Sequence, residues 1–227
     1  KKFPKAEILF SKSSFIGRVD IVRRHPLASI LKSYENGYTI DTVRNRPAHL
    51  YQIDPRIPHA LIKNPSILIL GLAGDGVTKT AKFMGRSVDG VEINPATVDL
   101  QKNELASFNY DSYTGINVYV MDGRSFLQNN KGSYDIITLL NSHTARGGIR
   151  RNIASAEYLH TQEAVAVYLN HLTDRGILSV EETANRPCGE PPVWKFLITM
   201  RSALTNHGAV NPDRHFFIFQ WTTPINN

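Results

Sequence analysis

The sequence predicts an α/β fold, with a parallel sheet covered by helices on both faces behind a small antiparallel module. Two observations carry this prediction. From Ile67 onward, short apolar runs alternate with stretches of helical length, the pattern of βαβ units. Before that point the chain is β-prone and broken by turn residues: "AEILF" and "GRVDIV" flank the turn-like "SKSSFIG", and "NGYTIDTV" opens on Asn36-Gly37, a strong hairpin dipeptide.

The predicted organisation is therefore an antiparallel module over residues 1–50 and a nucleotide-binding-type domain over residues 51–227. The proline-broken stretch "AHLYQIDPRIPHALI" reads as a connecting helix. The expected strands are Ile67–Leu70, Val88–Glu92, Asn117–Met121, Tyr134–Leu140, Ile177–Glu181 and Phe216–Trp221. The helices between them fall near Thr78–Met84, Pro95–Phe108, Arg124–Gln128, Thr161–Leu172 and Pro192–Asn206. Asn94 suits a helix cap and Pro95 a first helical turn. Asp174-Arg175-Gly176 reads as the turn that ends one helix and begins a buried strand.

At 227 residues and 41% hydrophobic, the chain can bury a full core. A charged fraction of 20% argues against wholesale disorder. The single cysteine, Cys188, excludes an internal disulfide framework and points to a reducing compartment. No apolar run reaches the roughly 18–20 residues of a membrane helix. The chain begins at Lys1 without methionine, which is compatible with a piece of a longer protein. The net charge of +6 is uneven: residues 1–63 hold 12 Lys/Arg against 5 Asp/Glu, and the rest holds 14 against 15. That basic first quarter is a solvated face or one lying against an anionic surface. It lacks the aromatic interleaving of a nucleic-acid site.

Three strand ends carry matching signals, and ligands of open α/β sheets bind at the carboxyl ends of strands. The first strand runs into Gly71, Gly74 and Gly76, where glycines allow a tight turn and a close backbone approach. The spacing is not G-x-G-x-x-G, because Ala73 stands in place of the second glycine. Glu92 ends the next strand, where a carboxylate can accept from the vicinal hydroxyls of a ribose. Asp122, followed by Gly123, ends the third, where an acid can accept from the amino group of adenine or cap the helix that follows. Together these imply an adenosine-containing ligand. There is no phosphate-binding G-x-x-x-x-G-K-[ST]. Asp75, inside the glycine turn, would repel a pyrophosphate and suits a cation. S-adenosylmethionine, cationic at sulfur and amine, meets that condition. No set of metal ligands is read.

The stretch "LILGLAGDG…VDGVEINP…VYVMDGRSFL…YDIITLL" resembles the polyamine (spermidine) synthase family of the S-adenosylmethionine-dependent methyltransferase superfamily. The likeness runs from about Gly17 to Phe219. It implies a Rossmann-like class I methyltransferase fold with a small N-terminal β-hairpin module. Gly71, Gly74, Asp75 and Gly76 would line the sulfonium and amino-acid end, Glu92 the ribose, and Asp122 with Gly123 the adenine. The ligand would be S-adenosylmethionine, its decarboxylated form or methylthioadenosine. The later stretches "SAEYLHTQEAVAVYLNHLTDRGILSVEE" and "ALTNHGAVNPDRHFFIF" are similar to bacterial relatives fused behind membrane helices. That implies a cytoplasmic domain whose basic first quarter faces the inner leaflet. A homodimer and a small-molecule acceptor are implied as well, with no specific nucleic acid.

The catalytic stretch departs from that family. An acid-rich loop, Asp-Ser-Ser-Asp-Pro, should follow the fourth strand, yet this chain has Leu140, Asn141, Ser142, His143 and Thr144. Leucine can neither take a proton nor hold a cationic diamine, which disfavours aminopropyl transfer. Methyl transfer asks less of a base. His143 is then the candidate base, with Asn141 beside it and Tyr158 orienting an acceptor. Glu181 and Glu182, at the end of the fifth strand, add acidity. "SHTARGGIRRNIASAE" is either a lid over the acceptor or a surface loop. A domain that binds the nucleotide without turnover, or that serves assembly in a larger membrane protein, remains the alternative.

Overall fold

The computed structural model describes residues 6–23, 30–35, 38–44, 57–72, 75–140, 158–181 and 191–218. The first sheet holds β1 (Glu7–Ser13), β2 (Arg18–Arg23), β3 (Ile30–Glu35) and β4 (Tyr38–Arg44), antiparallel in sequence order. β3 is the strand the sequence concealed, because "ILKSYE" shows no clear alternation. It pairs with β4 across the Asn36-Gly37 dipeptide, Glu35 opposite Tyr38. The dipeptide itself lies outside the described residues. Of the expected connecting helix, α1 (Ile57–Leu61) is described.

The second sheet is parallel throughout. It contains β5 (Ser66–Leu70), β6 (Ser87–Glu92), β7 (Asn117–Val120), β8 (Tyr134–Leu140) and β9 (Leu172–Glu181), in the order β7-β6-β5-β8-β9. Every residue of central β5 is buried, as expected of a strand covered on both faces. Its side chains alternate between two cores. Leu68 and Leu70 join Ile137, Leu139, Phe126 and Tyr168, whereas Ile67 and Ile69 join Val77, Ala81, Val98 and Ile136.

The second core is covered by α2 (Asp75–Met84) and α3 (Pro95–Lys102), the first by α4 (Gly123–Asn129), α5 (Gln162–Asn170) and α6 (Pro191–Asn206). The chain runs outward through β5, β6 and β7, then returns to place β8 on the other side of β5. In open α/β sheets such a reversal, here between β5 and β8, is where ligands bind at the carboxyl ends of the strands. Among the described residues, no helix is long and apolar enough to cross a membrane.

Several expected boundaries move. α3 stops at Lys102 rather than Phe108. Leu105 and Phe108 keep helical spacing, but the buried Asn109 side chain donates to the carbonyl of Gln101 (3.1 Å) and to its Oε1 (2.7 Å). A side chain thereby satisfies a carbonyl that further helix would have used. Tyr110 and Asp111 then turn the chain at φ 58° and 49°. α5 ends at Asn170, so Leu172 belongs to β9. The predicted turn at Asp174–Gly176 sits inside β9 as an irregularity, between the pairs Tyr134–Leu172 and Ile136–Ile177. Residues 216–218 join neither sheet, and Phe217 stays 78% exposed. The rest of that expected strand lies outside the described residues.

The antiparallel module is seated on α3. Val19 and Ile21 of β2 pack with Ala96, Leu100 and Leu105. Lys12 of β1 adds ion pairs to Asp99 and Glu104.

At the amino-terminal edge of the parallel sheet, Asp135 clamps three strands. Its Oδ2 accepts from the Ser66 amide and hydroxyl, each at 2.9 Å, and its Oδ1 from the Thr173 hydroxyl at 3.0 Å. The Ser66 amide, helped by the two hydroxyls and Arg86, holds this carboxyl below its ordinary range against the opposing effect of burial. A carboxyl depressed in the folded state stabilises the fold above its unfolded value, and that stability is lost as pH falls through the folded value. Asp135→Asn should therefore lower the melting temperature at neutral pH. It should also make the decline between about pH 5 and pH 2 shallower than in the unaltered chain. Thermal unfolding across that range checks both effects.

Candidate functional site

The site begins where β5 runs out. Gly71 has φ 86°, a left-handed conformation that residues with a Cβ resist. The turn lets the amides of Gly71 and Leu72 both donate to the carbonyl of Val91, at 2.9 and 3.1 Å. The chain thus bends over neighbouring β6 instead of continuing outward. Leu72 drops its side chain onto β6 at Gly90, where a Cβ would lie 2.4 Å from Leu72 Cδ1. From the other side, the buried Tyr113 hydroxyl donates to the Leu72 carbonyl. α2 then starts at Asp75, with Gly76 as its second residue. Gly74 lies outside the described residues, as does the Asp75 side chain.

Glu92 is the last residue of β6, 8% exposed, and its Oε1 accepts from the Asn94 amide at 2.8 Å. A nearly buried carboxylate needs such hydrogen bonds to stay at a strand end. Asn94, 1% exposed, caps α3 by accepting the Ala96 amide at 3.0 Å.

Asp122 stands one strand over. Glu92 pairs with Val120, and the Met121 amide donates to the Glu92 carbonyl at 3.1 Å, so the two acids occupy adjacent strand ends. Asp122 Oδ1 caps α4 by accepting the Ser125 amide at 2.8 Å. One hydrogen bond leaves a carboxylate further acceptor capacity on both oxygens. Gly123 opens α4 against Leu70 and Leu159. The short helical turn Tyr158–His160 is thereby beside the start of α4. Two contacts hold that turn: the Tyr168 hydroxyl donates to the Leu159 carbonyl at 3.0 Å, and the His160 ring meets Phe196 edge-on at 4.3 Å. Burial pushes the Tyr168 phenol above its ordinary range, keeping it a donor.

The structure therefore brings together Gly71, Glu92, Asp122, Gly123 and the turn bearing Tyr158. β8 ends at Leu140, opposite Glu181 at the end of β9. Asn141 and His143 lie outside the described residues, as do Glu182 and the Tyr158 side chain. Sequence inspection missed Tyr113, Gly90 and Ser14. Gly90 was visible as a glycine within a strand, but nothing local marked Tyr113. Among the described residues, no group of three or more His, Cys, Asp or Glu could hold a metal ion. A cavity of about 480 Å³ lined by Lys63, Asp135 and Arg175 lies at the opposite, amino-terminal edge of the sheet. The Asp135 oxygens there are already engaged by Ser66 and Thr173.

No protein-family model matches this chain, and no curated protein matches it in sequence. Solved structures do match in fold. A spermidine synthase in complex with the transition-state analogue AdoDATO superposes with a TM-score of 0.64 at 16% identity, covering 88% of this chain and 64% of that one. The spermidine synthase from Thermotoga maritima gives 0.63 at 17% identity, covering 88% of this chain and 62% of that one. The chain thus spans just under two thirds of the length of each. At such identities the likeness establishes the fold: a Rossmann-like methyltransferase-type sheet with a small antiparallel module, as in spermidine synthases.

Tyr113→Phe removes the donor to the Leu72 carbonyl while keeping the buried ring. It should cost about 1 kcal/mol of unfolding free energy, read as a lower denaturant midpoint with an unchanged slope.

Proposed function

We propose that this chain binds an adenosyl sulfonium or thioether at the carboxyl ends of β5, β6 and β7 and acts as a transferase, moving a methyl group in preference to an aminopropyl group. The observation that carries the proposal is the convergence of the left-handed turn at Gly71 with Glu92 and Asp122 on adjacent strand ends. Ribose recognition needs a fixed acceptor, and the Glu92 carboxylate is nearly buried and anchored by the Asn94 amide. Recognition of an adenine amino group needs an acceptor one strand away, a role the Asp122 carboxylate would fill beside its cap of α4. A transferase role draws support from the spermidine synthase fold, one example of which holds a transition-state analogue.

In this proposal S-adenosylmethionine, or its decarboxylated form, supplies the electrophilic carbon and the leaving thioether. The protein contributes orientation and exclusion of water. Asp75 would pair with the cationic end of the ligand. His143 would accept a proton from an acceptor that must lose one, while Asn141 and Tyr158 orient that acceptor. The preference for methyl transfer rests on Leu140, which by the resemblance replaces an acid that would deprotonate and hold a diamine. The same residue favours a second reading, a domain that binds the nucleoside without turnover.

Calorimetry with S-adenosylmethionine, its decarboxylated form and methylthioadenosine tests the binding step, and turnover with putrescine tests the transfer preference. Binding no tighter than about millimolar for all three would end the adenosyl proposal. Steady formation of spermidine would overturn the preference for methyl transfer. Glu92→Ala should weaken methylthioadenosine about 10- to 100-fold, the loss of charge-assisted hydrogen bonds to two hydroxyls.

A further inference from the structure

Among the described residues, Ser14 ties the antiparallel module to the candidate site by a hydrogen bond. Ser14 lies in the turn joining β1 to β2. The turn is braced by its amide donating to the Gly17 carbonyl at 3.0 Å, while the Ile16 and Gly17 amides donate to its Oγ at 3.1 and 3.4 Å. The Ser14 hydroxyl then donates to Asn94 Oδ1 at 2.8 Å, closer than the Gly17 carbonyl at 3.2 Å. That oxygen also takes the Ala96 amide, and only an oxygen can do both, so the orientation of the Asn94 amide group is fixed. The backbone amide of the same Asn94 donates to Glu92 Oε1. A continuous path thus runs from the Ser14 hydroxyl through Asn94 to the Glu92 carboxylate. It is buried from Asn94 onward, and the apolar seat of Val19 and Ile21 on α3 flanks it.

We infer that Ser14 is a positioning residue for the ribose acid: by fixing Asn94, the β1–β2 turn sets the direction of the Glu92 carboxylate and hence the chain's discrimination in favour of ribose hydroxyls. This rests on the adenosyl-binding proposal and adds a role for the antiparallel module in ligand selection. The physical basis is directional. A carboxylate accepting from a vicinal diol loses strength when its plane turns. One of its two oxygens is already fixed by an amide whose own residue Ser14 holds.

The test measures binding of 5′-methylthioadenosine and its 2′-deoxy counterpart by calorimetry, so that the ratio of the two affinities reports ribose discrimination alone. Ser14→Ala should weaken methylthioadenosine about three- to tenfold, the worth of one hydrogen bond, while the 2′-deoxy ligand changes less than about twofold. Ser14→Thr, which retains the hydroxyl, should restore the ratio. Lys12→Ala, which loosens the module's ion pairs without touching the path, should lower the melting temperature and leave the ratio intact. An unchanged ratio in Ser14→Ala overturns the inference while leaving the adenosyl proposal standing. Equal loss of the ratio in Lys12→Ala reduces Ser14 to general support of the module and also overturns it. Failure of the unaltered chain to bind either nucleoside overturns the adenosyl proposal and this inference together.

Discussion

The carbonyl of Val91 accepts two amides, those of Gly71 and Leu72, and the site follows from that arrangement. A strand leaving a parallel sheet would carry its chain outward. Here the left-handed Gly71 folds it sideways over β6, and α2 begins four residues later at Asp75. The bend is secured from below by the space that Gly90 leaves for the Leu72 side chain, and from the far side by the Tyr113 hydroxyl. One glycine supplies the turn, a second clears its path, and a tyrosine from an irregular segment closes it.

The remaining parts are set by register. Because Glu92 pairs with Val120, the first acid beyond β6 and the first beyond β7 stand side by side. Each is joined to a helix start, Glu92 through Asn94 and Asp122 through its own cap of α4. This coupling ties one oxygen of each carboxylate to a backbone amide, and preorganised acceptors lower the cost of binding a ligand. The antiparallel module belongs to the same construction, since its turn holds the Asn94 side chain.

Much of this was legible in the sequence, and the limits have physical causes. β5 and β8 were readable because buried parallel strands are near-continuous apolar runs, and β5 and β6 also because they end at a glycine and an acid. The caps at Asn94 and Asp122 were readable because capping is local, whereas Thr161, expected inside its helix, proves to be its cap. β3 escaped because it lacks alternation, and the end of α3 escaped because the Asn109 side chain, seven residues beyond Lys102, decides it. Tyr113 and Ser14 act through contacts 41 and 80 residues distant, which no local pattern encodes. The expected strand at Phe216 failed over its described part for a related reason: β propensity does not supply a ladder partner. Roles for Asn141, His143 and Tyr158 rest on sequence.

Two ends of the parallel sheet offer places for a ligand, and the central claim is that the adenosyl group chooses the carboxyl end. Backbone amide NMR during titration with methylthioadenosine tests this most directly. The account predicts shifts concentrated at Gly71, Glu92, Asn94 and Gly123, with Ser66, Asp135 and Thr173 unmoved. Shifts gathered around Lys63, Asp135 and Arg175 instead, or none at saturating nucleoside, would contradict it.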